Sequence, residues 1–168
     1  MPYRGFMHDW SKFSLEEFGE SIKYYDGKIS PITISKEKNG YSKAWLHHKG
    51  RNKHHFQYWI DLGTKGVAPV IPYKYMAEMI CDKLSACITY NGKNWTNSSE
   101  YEYWEKEKTR VIVNPKIENF LDEVFVEIKD NGLESTLNKK HIKELYTKYC
   151  IDDKTEYVYE FHGEWKKV

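Results

Sequence analysis

Four of the chain's seven histidines fall within nine residues, as the adjacent pairs His47-His48 and His54-His55. They sit in the run Ala44-Trp45-Leu46-His47-His48-Lys49-Gly50-Arg51-Asn52-Lys53-His54-His55-Phe56-Gln57-Tyr58-Trp59. This run constrains the fold because Trp45, Leu46, Phe56 and Trp59 are expected to anchor it in a core, which would pre-organise the histidines between them. Neighbours on a helix point about 100° apart, so one member of each pair is expected to face a given site. The other is expected to bond in its surroundings. A solvated, pH-responsive His/Lys/Arg patch is the plainer alternative. Metal binding is favoured over it, because exposed patches rarely alternate with so many bulky aromatics.

Helical signals dominate the rest. Ser14-Leu15-Glu16-Glu17 is a capping-box pattern, predicting a helix to about Asp26 with Gly27 ending it. Residues 28–40 mix β-branched residues with turn formers and predict an irregular or short-strand excursion. A short helix is expected over 41–49, and Asn52 is placed to cap another through Ile60. Residues 61–71 form a loop, and Pro72 suits the first turn of a long helix to Tyr90, closed by Asn91-Gly92. A polar loop over 94–99 precedes a Tyr/Trp/Glu/Lys segment through Arg110. Asn114-Pro115 starts a further helix that Asn131-Gly132 ends. Residues 136–150 read as an amphipathic helix, and the alternation over 157–165 as a strand or extended cover. The expected fold is mainly α: a helical bundle in one domain, 1–168, with a short strand or extended C-terminal tail.

Composition narrows the function classes. In 168 residues, 26 Lys+Arg against 25 Asp+Glu leave a net charge of +1, which excludes a strongly basic nucleic-acid binder and an acidic disordered tail. The 40% apolar content supports a core. No apolar run approaches the ~18 residues of a membrane span, and residues 1–10 lack a signal-peptide h-region. Cys81, Cys87 and Cys150 have no metal-type spacing and fit reduced thiols, so a cytoplasmic location is expected.

Two further signals join the histidine run. In His8-Asp9-Trp10-Ser11-Lys12, adjacent imidazole and carboxylate can ligate neighbouring metals, and a helical turn places the Lys12 ammonium over the same site, where it can meet a phosphate. Asp82 lies at the edge of the apolar arc of its helix, beside Tyr75, Met79 and Ala86, where a carboxylate needs a partner. Lys83 falls nearer the middle of that arc and must snorkel or pair.

In this order, H-D-x-S-K, spaced histidines with an H-H pair, and then a helical Asp resemble the HD-domain superfamily of metal-dependent phosphohydrolases. The HD-GYP branch is the nearest in local motif. Residues 8–18, 43–59 and 78–82 are more similar still to a small bacterial and phage family with H-D-x-S-K-F-S-x-x-E-F, A-W-L-H-H, H-H-x-x-Y-W and E-M-x-x-D. The resemblance covers about the first half of the chain. It implies an HD-like bundle with a metal-site half of about 1–110 and a C-terminal helical appendage of about 111–168. It also implies one or two divalent transition metals (Fe, Mn, Ni or Zn) held by His8, Asp9, one of His47 and His48, one or both of His54 and His55, and Asp82. A metal-bound hydroxide would then attack phosphorus in a nucleotide or other small phosphoester. Asp9 would be the central carboxylate, and Lys12, with Lys49, Arg51 or Lys53, would bind substrate and neutralise developing charge. HD domains carry a further ligand histidine on a helix before the pair, and residues 1–7 contain none. The resemblance therefore implies a shortened chain, a site with fewer ligands, or one completed by a partner chain such as a second copy. The alternatives are an oxygen-activating di-iron enzyme of the same superfamily and a degenerate metal- or ligand-binding domain.

Overall fold

The computed structural model describes residues 9–65, 67–160 and 163–167, and the fold is mainly α-helical. Two compact units divide the chain, Met1–Tyr58 and Trp59–Val168. No helix among the described residues is long and apolar enough to cross a membrane.

The first unit begins with a 3-10 turn, Trp10–Phe13, followed by helices α1 (Leu15–Tyr24), α2 (Pro31–Asn39) and α3 (Lys43–Arg51), and ends in a second 3-10 turn, Phe56–Trp59, which runs into the next unit. Ser14 caps α1, its Oγ accepting from the Glu17 N–H at 3.3 Å. The 28–40 segment differs from the expected irregular stretch. Pro31 fits the first turn of a helix, where no N–H is needed, and Gly40, at φ +79°, closes it in the left-handed conformation. The β-branched run Ile32-Thr33-Ile34 weakens helix propensity by only a few tenths of a kcal/mol per residue, which tertiary packing overrides. The helix expected from Asn52 through Ile60 is also absent. Asn52 instead ends α3, its backbone N–H donating to the His48 carbonyl at 3.0 Å, and residues 53–55 turn before the 3-10 segment.

What this unit buries is unusual. Among its described residues the buried set is Glu17, Ser35, Ser42, Ala44, His48, Asn52, His54 and Phe56, six of them polar. Helix α1 turns its polar side inward. Glu20 accepts from Ser42 Oγ, and from the Lys43 N–H at 3.0 Å, so a carboxylate sits at the N-terminus of α3.

The second unit is built conventionally. Helices α4 (Tyr73–Asn91), α5 (Ser99–Glu107), α6 (Pro115–Asn131), α7 (Leu133–Thr136) and α8 (Lys139–Tyr146) bury Met76, Ile80, Leu84, Trp104, Ile117, Phe120, Leu121, Phe125, Ile128 and Ile142. Asn114 caps α6 through its side chain, with Pro115 in the first turn. The single helix expected over 136–150 is broken: Asn138 caps a fresh start, and α8 runs on as π-helical turns over Thr147–Asp152. Strands β1 (Tyr157–Glu160) and β2 (Glu164–Lys167) pair antiparallel, Tyr159 opposite Trp165. Lys83 meets Glu107 and, at 3.5 Å, Glu100, which answers its place on the apolar arc.

The Glu20 tie predicts a pH dependence. Burial opposes ionisation of Glu20, but hydrogen bonds from Ser42, Ser35 and the Ala44 and Lys43 amides outweigh it and hold the carboxyl below its ordinary 4.5. A depressed folded pKa contributes stability that is full above the unfolded value and is lost as pH falls through the folded one. Wild type should therefore melt above Glu20→Gln at about pH 6, and the gap should close between about pH 5 and 3. A gap that stays constant over that range would refute the tie.

Candidate metal centre

The Glu17 carboxylate, 4% exposed, does not return to the helix cap as a capping-box glutamate would. Its Oε1 lies 2.7 Å from His47 Nδ1 and its Oε2 lies 2.8 Å from His48 Nδ1. We assign hydrogen to both Nδ1 atoms, which satisfies both Glu17 oxygens and leaves both Nε2 atoms to take a proton or a cation, although Asn52 Nδ2 at 3.0 Å and Ser11 Oγ at 3.3 Å also face His48 Nδ1. Adjacent residues on α3 diverge. His47 Nε2 lies 4.0 Å from exposed Glu16, whereas His48 Nε2 lies 3.6 Å from Asp9 Oδ1.

Asn52, one turn beyond His48, ties the neighbouring pieces together. Its amide nitrogen lies 2.9 Å from the His48 carbonyl, 2.8 Å from Ser11 Oγ and 3.0 Å from His48 Nδ1; with Nδ1 protonated, its two hydrogens go to the two oxygens. Ser11 belongs to the 3-10 turn that Asp9 opens, with the Lys12 N–H donating to the Asp9 carbonyl at 2.9 Å. The asparagine thereby fixes the position of Asp9 relative to α3. From the turn after α3, His54, fully buried, brings Nε2 to 3.7 Å from the same Asp9 Oδ1. The His55 ring lies 4.3 Å from His54 and 4.8 Å from His48, and meets Trp45 edge-on at 5.0 Å. One nitrogen each from His48, His54 and His55 falls within 4.8 Å of the others, a grouping that could hold a metal ion.

The donor set fits a first-row transition metal. Three imidazoles and a carboxylate suit Zn, Fe, Mn or Ni alike. Ligands about 2.1 Å from a common tetrahedral ion stand about 3.4 Å apart; Asp9 Oδ1 lies 3.6 and 3.7 Å from the His48 and His54 nitrogens, and the three histidine nitrogens fall within 4.8 Å of one another. The His48 Nδ1 bond to Glu17 is the carboxylate–histidine arrangement that orients metal-ligating imidazoles.

Of the residues expected from sequence, Asp9, His48, His54 and His55 come together here. His47 is turned to Glu17 and Glu16 and does not join the cluster. His8 lies outside the described residues. Asp82 lies half-buried on α4, in the other unit. Lys12 pairs with Asp9 Oδ2 while 59% of its side chain stays exposed. Lys49 is half-buried on α3, Arg51 is exposed at its end, and the Lys53 ammonium lies 5.6 Å from the Tyr58 ring centre. Both members of the second histidine pair reach the cluster because residues 53–55 turn, which frees them from the helical 100° rule. Ser11, Glu17 and Asn52 carry no signal in the sequence that marks them as site residues. Glu17 was hidden by a sufficient local explanation, since Ser14-x-x-Glu17 already reads as a cap. No thiolate competes as a nucleophile at Cys87 or Cys150, where burial pushes the thiols up to about 11 and about 12.

A family model described as "Family of unknown function (DUF5662)" matches residues 1–127, and the chain belongs to that family. No curated protein and no solved structure matches it.

The Glu17 tie sets a stability prediction. Glu17→Ala strands two imidazole N–H groups in a buried site and should cost about 2–4 kcal/mol in urea unfolding. Glu17→Gln, whose amide oxygen can serve only one of the two, should fall between. A loss under about 0.5 kcal/mol for the alanine variant would mean that Glu17 does not hold the histidines.

Proposed function

We propose that this chain is a metal-dependent hydrolase of a nucleotide or other small phosphoester, with the metal held by Asp9, His48, His54 and His55. The observation that carries this reading is the convergence of His48 Nε2 and His54 Nε2 on one Asp9 oxygen, with His55 beside them. The resemblance of the H-D-x-S-K and paired-histidine motifs to HD-type phosphohydrolases supports the reaction class. Three histidines group within reach of one ion, with Asp9 Oδ1 beside two of them, and an oxygen-activating di-iron enzyme is the alternative reading of the same residues.

A bound transition metal supplies Lewis-acid polarisation of a phosphoryl oxygen and lowers the pKa of a water nucleophile. The chain's own residues do the rest. Glu17 keeps His48 in the Nδ1–H form, so that its other nitrogen stays available. Asn52 and Ser11 hold Asp9 against α3. The exposed length of Lys12 lets its ammonium move from Asp9 to an anionic substrate, where it balances the charge that develops on the phosphoryl oxygens. Lys49, Arg51 and Lys53 offer further positive charge on α3 and the following turn.

Protein purified without added metal should hold about one first-row metal per chain and hydrolyse at least one member of a phosphoester panel. Asp9→Ala should lower that activity at least ~100-fold, and a chelator should abolish it. Metal retention with no hydrolysis across the panel would remove the hydrolase claim. Neither metal nor chelator-sensitive activity would leave a purely structural polar cluster.

A further inference from the structure

Helix α1 is amphipathic with the wrong side out. Its single buried residue is Glu17, while Leu15 is 90% exposed, Phe18 53% and Ile22 63%. These three recur at i, i+3 and i+7 and form one stripe. Phe13 before the helix and Tyr25 after it are exposed by 75% and 74%. The five residues expose on the order of 800 Å², the most they could bury, which matches the ~800 Å² that each partner buries in a standard-sized interface.

We propose that this face is where two copies of the chain meet, with α1 packed antiparallel against its twin across a two-fold axis near Phe18 and Gly19. Three features choose a second copy. The first is charge: Glu16 and Lys23 lie on the same flank of the stripe, near opposite ends of the helix. Antiparallel pairing sets each Glu16 beside the partner copy's lysine at position 23, twice over, and a two-fold interface must be self-complementary in this way. The second is room. A Cβ at Gly19 would meet nothing within 4 Å, so packing inside the chain does not require glycine there. Glycine in a helix interior costs about 1 kcal/mol against alanine, and what it provides is close approach of a second helix. Gly19 also borders an open groove of about 420 Å³, lined by Leu15, Tyr24 and Tyr41 and by the charged Glu16, Glu20 and Lys23. The third is the area already given.

The surrounding charge argues against a lipid surface as occupant. Glu16 and Asp26 alternate with Lys23 and Lys28, and an anionic bilayer would call for a surplus of basic residues beside the apolar stripe.

The test is the mass of the full chain by light scattering and sedimentation at 1–100 µM. Wild type should run at twice 20.1 kDa. Phe18→Glu should weaken the dimer at least tenfold with unchanged circular dichroism. Lys23→Glu should weaken it several-fold, and the exchanged pair Glu16→Lys with Lys23→Glu should restore it. Wild type that stays monomeric at 100 µM overturns the proposal whatever the variants do. A dimer indifferent to Phe18→Glu and Lys23→Glu overturns it as well, by placing the interface elsewhere. Monomer that sediments with phosphatidylserine-containing vesicles would assign the face to membrane.

Discussion

Glu17 is one carboxylate that does two things at once. It is the buried residue of α1, and it accepts a hydrogen from each of two consecutive histidines on α3. Much of the first unit follows. With Glu17 and Glu20 facing inward, the helix has to present its polar side to the protein and its apolar side to the outside. With His48 fixed at Nδ1, its other nitrogen is aimed at Asp9, and Asn52 then links the backbone of α3 to the turn that carries Asp9. Removing the carboxylate would take away the tie between helices and the orientation of the ligand histidine together.

The two units of the chain are held by different physics. The second buries aromatic and aliphatic side chains on four main helices, in the ordinary way. The first buries histidines, serines, an asparagine and a glutamate, with Ala44 and Phe56 as its buried apolar residues among those described. Burial of apolar area contributes about 25 cal/mol per Å², and so small an apolar core supplies little. Small units of this kind are commonly stapled by a metal or by association. Both the proposed metal and the proposed twin helix answer that shortage, one from inside and one from outside.

Much of the fold is legible in the sequence where local chemistry is unambiguous. Pro72, Asn91-Gly92, Asn114-Pro115 and Asn131-Gly132 mark helix ends because proline and glycine limit backbone geometry whatever the surroundings. The errors fall where a residue has two uses. Asn52 looks like the start of a helix but serves the end of the previous one. Pro31 follows a turn and precedes β-branched residues, so α2 is masked by propensity. Glu17 satisfies a capping pattern and so conceals its long-range partners, 30 and 31 residues away. The separation of His47 from His48 follows from helical spacing. The joint arrival of His54 and His55 does not, because it depends on a turn that spacing rules do not foresee.

Glu17 fixes the tautomer of His48 so that Nε2 is the atom presented to Asp9 and, under the proposed function, to a metal. Two-bond proton–nitrogen correlation spectra of the histidine rings test it directly. At neutral pH and without metal His48 should carry its proton on Nδ1, and its unprotonated Nε2 resonance should move when one equivalent of Zn²⁺ is added. A His48 ring protonated on Nε2, or an Nε2 signal that zinc leaves in place, would contradict it.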